Sequence, residues 1–243
     1  MRHTATSLIA LGSMSIAAAA HAQSAITLYG ITDAGIAYIH NLPGANGVNQ
    51  STLVRFSSGN YSSDRWGVRG TEDLGGSMQA VFQLENGFNI GTGTLNQGGR
   101  EFGRKAFVGL SSSNWGRLTL GRQYDPLVDL VQPLTGDAYV GASATPGDAD
   151  NYDNSMRISN SVKYTSPNYR GLTLEAMYAF GGVAGSVSDG HTYSVGASYI
   201  EGPFSIAAGY FYANGGNTAT NGVRTWTSSA ALLKSKWVMR YVG

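Results

Sequence analysis

The chain has 243 residues, no cysteine, and 16 Lys+Arg against 15 Asp+Glu. That balance argues against nucleic acid as a partner, because phosphate binding needs a basic excess, and without cysteine stability must come from something other than disulfides. Charged residues make up 13% of the chain, about half the usual ~25%, while 34 Gly, 14 Tyr and only 6 Pro fit an all-β chain with many tight turns.

The first segment reads as a cleaved export signal. Arg2 and His3 make a short basic start, and an apolar stretch runs from Leu8 to Ala20. Ala20-His21-Ala22 then matches a small-x-small cleavage site. Cleavage after Ala22 makes 1–22 the signal peptide and leaves Gln23 first. The apolar run is too short for a membrane anchor. Arg2 is its one certain base and it has no acid, so the mature chain has a formal charge of zero. No later apolar stretch is long enough for a membrane helix, so a chain residing in a bilayer must span it as a closed barrel of strands.

From Ile26 onward the chain alternates at period two. Ile26, Leu28 and Gly30 share one face; Thr27, Tyr29, Ile31 and Asp33 share the other. The pattern predicts strands near 25–38, 51–70, 76–89, 100–112, 115–124, 156–166, 170–181, 191–201, 203–213 and 224–233. Such alternation fits a soluble sandwich, with its apolar face inward, as well as a membrane barrel, with its apolar face toward lipid. The connections separate the two. Short turns at 73–76, 113–116, 167–171 and 201–203 alternate with long polar segments at 39–50, 90–99, 125–155, 182–190 and 214–223. Transmembrane barrels alternate tight periplasmic turns with longer external loops. The segment 125–155 stands apart: it carries Asp125, Asp129, Asp137, Asp148, Asp150 and Asp153. A structureless stretch of that length is either functional or disordered; the functional form is a loop folded into a lumen, its acids facing bases of the wall.

Several segments then resemble one family in order and spacing. Ile26-Thr27-Leu28-Tyr29-Gly30 with Asp33-Ala34-Gly35 resembles the first strand of trimeric porins of the β-proteobacterial type. Arg65-Trp66-Gly67-Val68-Arg69-Gly70 through Gly75 resembles the second strand and its turn, and Phe82-Gln83-Leu84-Glu85-Asn86-Gly87-Phe88 the third. Arg104-Lys105-Ala106-Phe107-Val108 and Leu120-Gly121-Arg122-Gln123-Tyr124-Asp125-Pro126 resemble the next two, leading into the constriction loop; Asn160 to Pro167 resembles the sixth. The resemblance implies an antiparallel transmembrane β-barrel of the outer membrane. The family barrel has sixteen strands, of which about ten are recognisable here. It also implies a homotrimer in the lipid bilayer, 125–155 as an inward-folded constriction loop, and passive diffusion of ions and small hydrophilic solutes.

Carried over position by position, the resemblance makes Arg65 the wall base of the second strand, sharing a face with Gly67 and Arg69 while Trp66 and Val68 face lipid. Glu85 is the wall acid of the third strand. Arg104 is the base of the fourth, placed on the face of Ala106 and Val108. Arg157 follows the loop, with Arg122 and Lys163 as weaker members of the set. The loop has Pro133-Leu134-Thr135-Gly136-Asp137 where enterobacterial-type relatives have a Pro-Glu-Phe-Gly turn, so Asp129 or Asp137 is the expected counter-charge. A mid-strand arginine must avoid lipid, where it costs about 2–4 kcal/mol at the midplane. Bases opposed to acids across a narrow wet gap create a transverse field. A surplus of bases predicts weak anion preference.

The end of the chain departs from the family. Leu232 to Gly243 has no terminal aromatic, alternates poorly and carries unfamiliar bases, which reads as a truncated porin. Two rivals follow: a small structural or adhesive barrel, and a truncated porin without activity. An enzyme is not expected. His3, His21, His40 and His191 lack metal-ligand spacing, no Gly-x-Ser-x-Gly elbow occurs, and no metal or cofactor is called for.

Overall fold

A computed structural model describes residues 25–43, 49–134, 156–214, 223–234 and 237–242. The expected signal segment 1–22 lies outside them, as do residues 135–155 of the long loop. The first strand, β1, is Ala25–Ile31; β2 (Ala34–Pro43) and β3 (Asn49–Ser58) form a separate hairpin. Then follow β4 (Arg65–Gly75), β5 (Met78–Gly87), β6 (Lys105–Ser112), β7 (Gly116–Gln123) and β8 (Ile158–Thr165). The remainder are β9 (Leu172–Ala179), β10 (Thr192–Glu201), β11 (Phe204–Ala213), β12 (Val223–Lys234) and β13 (Trp237–Val242).

Eleven strands make one antiparallel sheet in the order β1-β4-β5-β6-β7-β8-β9-β10-β11-β12-β13. Apart from the β1–β4 step, every strand pairs with its neighbour in sequence. The sheet does not close: β1 and β13 are its edges among the described residues. Lipid offers open edges no hydrogen bonds. Tight turns join β4 to β5, β6 to β7, β8 to β9 and β10 to β11 at one end, and the long connections gather at the other. The β4–β5 turn shows why glycine is needed there: Gly75 and Gly76 have φ of 80° and 59°, a left-handed conformation in which a Cβ is unfavourable.

The apolar face is the exposed one. Leu28 is 72% exposed and Val108 59%, whereas Glu85 is 5% and Lys163 8% exposed. A soluble sandwich would have these values reversed. Alternation left the choice open; burial decides it for a sheet whose apolar side meets lipid and whose polar side is inner.

The predicted strands meet the observed ones with four differences. The expected strand at 25–38 breaks at Thr32-Asp33, and that at 51–70 breaks over 59–64. Hydrogen bonding explains both breaks. The backbone N–H groups of Tyr61 and Ser62 donate to Asp33 Oδ2 (2.5 and 2.8 Å), and that of Asp33 donates to Asp64 Oδ1 (2.5 Å). The chain therefore leaves the sheet as the β2–β3 hairpin and re-enters it as β4, so part of the expected loop 39–50 is strand. The expected start of β6 at 100 falls at Lys105 instead. Finally, 237–242, which alternates poorly, pairs with β12 as β13.

The first part of the long loop folds back over the inner face. Pro126 is followed by a π-helical turn, Leu127–Val131, and a 3-10 turn, Gln132–Leu134. Leu127, Val131 and Leu134 join Ile158, Met177, Ala179, Ala207, Phe211 and Ala213 in one buried apolar cluster. Two facing glycines, Gly196 of β10 and Gly209 of β11, make the seat. A Cβ on Gly209 would come within 2.8 Å of Leu127 Cδ1, and one on Gly196 within 2.9 Å of Pro126 Cβ. Glycine inside a strand marks such a close approach.

Candidate functional site

Strand register aligns Tyr29, Gly67, Glu85 and Lys105 in one row across β1, β4, β5 and β6. All four point to the inner face, opposite the exposed Leu28 and Val108. The Tyr29 hydroxyl crosses β4 to donate to Glu85 Oε2 (2.8 Å) and accepts from Gln83 Nε2 (2.5 Å). It can do so because residue 67 is glycine: a Cβ there would lie 2.6 Å from the Tyr29 oxygen. On the other side, Arg104 Nε donates to Glu85 Oε1 at 2.6 Å, with both side chains buried. Glu85 is thus fixed by a base and a phenol. Charge-assisted bonds of this kind are stronger than neutral ones.

A second group surrounds Tyr124, where β7 passes into the loop. The Arg157 guanidinium lies 4.6 Å from its ring centroid, and Lys105 Nζ lies 5.5 Å from it. Both fall within cation–π range. Lys163 of β8 donates to Tyr124 O (3.0 Å) and pairs with Asp129 of the loop. Glu175 of β9 accepts from Thr165 Oγ1 at 2.7 Å. Lys105, Lys163, Asp129 and Glu175 all line one cavity of about 270 Å³.

The expected site residues fall as follows. Glu85, Arg104 and Arg157 lie together near Tyr124, and Arg65 sits on the same inner face opposite Gly87. The placement of Arg104 on the face of Ala106 and Val108 is corrected: β6 begins only at Lys105, the residue after Arg104, Val108 faces outward, and Lys105 is the inward base. Arg104 reaches Glu85 from just before the strand. Asp129 pairs with Lys163, one of the weaker expected members. Arg122 lies in the outward row opposite Ala106 and donates to Gly103 O and Arg157 O (both 2.8 Å) and Ser159 Oγ (2.7 Å), tying loop ends together. Asp137 lies outside the described residues. Tyr29, Lys105, Tyr124 and Glu175 were missed. Parity counted back from the apolar, exposed Val108 and Leu110 puts Lys105 on the inner face.

An antiparallel sheet with its apolar face outward, fixed charges on its inner face and a loop seated across that face defines the wall of a transmembrane β-barrel. Residues 4–234 match the family described as Gram-negative porin. The chain is 36% identical over 231 residues to an outer membrane porin protein of Bordetella pertussis, covering 85% of this chain and 58% of that one. It is 34% identical over 214 residues to outer membrane porin protein 32 of Delftia acidovorans, covering 84% and 58%. Among solved structures, an anion-selective porin from Comamonas acidovorans superposes with a TM-score of 0.71 at 27% identity, over 90% of this chain and 66% of that one. The chain belongs to the Gram-negative porin family and is an outer-membrane protein. It spans 58% of the length of the two relatives named.

Proposed function

We propose that this chain builds the wall of a water-filled pore through which ions and small hydrophilic solutes diffuse passively, with a weak preference for anions and no enzymatic step. The observation that carries the reading is the inverted sheet. Charges that lipid would not tolerate are held on the inner face, and a loop is seated across that face rather than away from it. Arg65, Glu85, Arg104, Arg157 and Asp129 are the constriction residues of this reading, with Lys105 and Lys163 added; Asp137 joins them as an expected loop acid. Residues 125–155 are the constriction loop. Bases in this set outnumber acids, which favours anions, and the Comamonas relative is an anion-selective porin. The functional unit is a homotrimer, exported by cleavage after Ala22.

The test is a planar bilayer with a salt gradient. Uniform conductance steps and a reversal potential on the anion side, moving toward zero in Arg104→Gln, are expected. A clear cation preference would overturn the anion reading; an absence of steps from chain folded in detergent would overturn the pore.

A further inference from the structure

We propose that the inner face carries a second station, a binding site for small carboxylate anions with an apolar body, next to the Glu85–Arg104 row on its turn side. The site is a cavity of about 340 Å³ lined by Arg69, Arg117, Gln83, Phe107, Val81 and Thr27 among others, at the small end of the ligand-pocket range of about 300–1,000 Å³. Its position follows from register. Arg69, Gln83 and Phe107 form one inward row. Phe107 is two residues beyond Lys105 along β6, about 7 Å at strand rise. Arg117 pairs with Ser111, four residues beyond Phe107. Two arginines thus bracket a phenylalanine diagonally.

Neither arginine has an acidic partner among the described residues, whereas Arg104 and Lys163 do. Arg69 lies 5.4 Å from the Tyr29 ring centroid, which steadies the guanidinium and leaves its donors available. Guanidinium groups bind carboxylates through paired parallel bonds. Phe107 and the buried Val81 give an apolar floor, and an aromatic floor favours an aromatic body, ring on ring. Gln83, Phe107 and Arg117 also line the neighbouring cavity beside Lys105 and Lys163, so the two spaces adjoin. The pore reading explains how a solute arrives; binding itself needs only β1 and β4–β7.

The test is equilibrium dialysis of the full chain, folded in detergent, against benzoate, acetate and chloride, with far-ultraviolet circular dichroism recorded for every variant. Benzoate is expected to bind at least tenfold more tightly than acetate. The double variant Arg69→Gln, Arg117→Gln should lose at least tenfold in benzoate affinity. Arg69→Lys with Arg117→Lys, which keeps the charge and protects against a folding artefact, should lose less. Phe107→Leu should weaken benzoate and leave acetate unchanged. Benzoate binding equal in wild type and the double glutamine variant would overturn the site, as would its loss in Arg104→Gln instead. Intact benzoate binding by protein that gives no conductance would count against the pore and leave this site standing.

Discussion

The inner faces of β4–β8 and of β9–β11 belong to one sheet and follow one alternation, yet they are built for different neighbours. The first carries Arg65, Glu85, Lys105, Thr119 and Lys163, with the carboxylate of Glu85 held by Tyr29 and Arg104. The second carries Met177, Ala179, Ala207, Phe211 and the facing Gly196 and Gly209, and the loop's Leu127 and Val131 close over it. Small residues let the loop's backbone approach, and apolar burial holds it there. The Lys163–Asp129 pair lies at the seam, joining the charged wall to the seated loop. Period two decides which residues face inward; size and polarity at those positions decide whether they meet water or protein.

Leu127→Ala attacks the dry half and should have the largest effect. Leu127 is fully buried, and Leu→Ala changes in such sites cost about 2–5 kcal/mol. Limited proteolysis should cut at the loop sooner than in wild type, and an unchanged digest would mean that the glycine seat does not hold it. On the wet half, Arg104→Ala strands the Glu85 carboxylate. Breaking a buried ion pair costs about 3–5 kcal/mol, and the remaining Tyr29 bond brings the expectation to about 3. Denaturant unfolding checks this, and adding Glu85→Gln should recover a large part if the stranded charge is the cause. Gly67→Ala is milder, about 1–3 kcal/mol as an overpacking change. The Tyr29 ring must move to admit the new Cβ, so removing it with Tyr29→Ala should make the Gly67 change cheaper in a double-mutant cycle.

The smallest effect falls outside both halves, at the foot of the β2–β3 hairpin. The N–H groups of Ser62 and Tyr61 hold the Asp33 carboxyl below its ordinary range. Burial would raise Asp64, but donors from Ser58, Asp33 and Ile90 outweigh it and hold it below that range as well. Groups with depressed folded pKa values stabilise above the unfolded value of about 3.9 and lose that contribution as pH falls through the folded value. Amide exchange at Tyr61 and Ser62, corrected for intrinsic rate, should therefore accelerate below about pH 4. Exchange that slows with acid would contradict the assignment.

Much of this was legible in the residues. Period-two alternation located the strands, and the alternation of short and long connections pointed to a barrel before burial confirmed which face is outward. Alternation put Arg65 on one face with Gly67 and Arg69, while Glu85 was legible through the family resemblance of its strand. The breaks at Thr32-Asp33 and 59–64 were not read from the sequence; their cause is hydrogen bonding between residues about thirty apart. Arg104 was given the face of Ala106 and Val108 although it precedes the strand, and the inward Lys105 beside it was given no role. The seat for the loop was written in Gly196 and Gly209, but only pairing in register reveals that two strand glycines face each other.

The claim beneath all of this is that the charged face meets water and the apolar face meets lipid. The chain has no cysteine, so single substitutions at two β6 positions on opposite faces give a direct reading. Lys105→Cys and Val108→Cys, each reconstituted in vesicles, would be treated with a membrane-impermeant charged thiol reagent and, separately, a lipid-soluble maleimide. The account predicts rapid labelling of the first by the charged reagent and of the second by the lipid-soluble one. The reverse pattern, or equal labelling of both by the charged reagent, would contradict it.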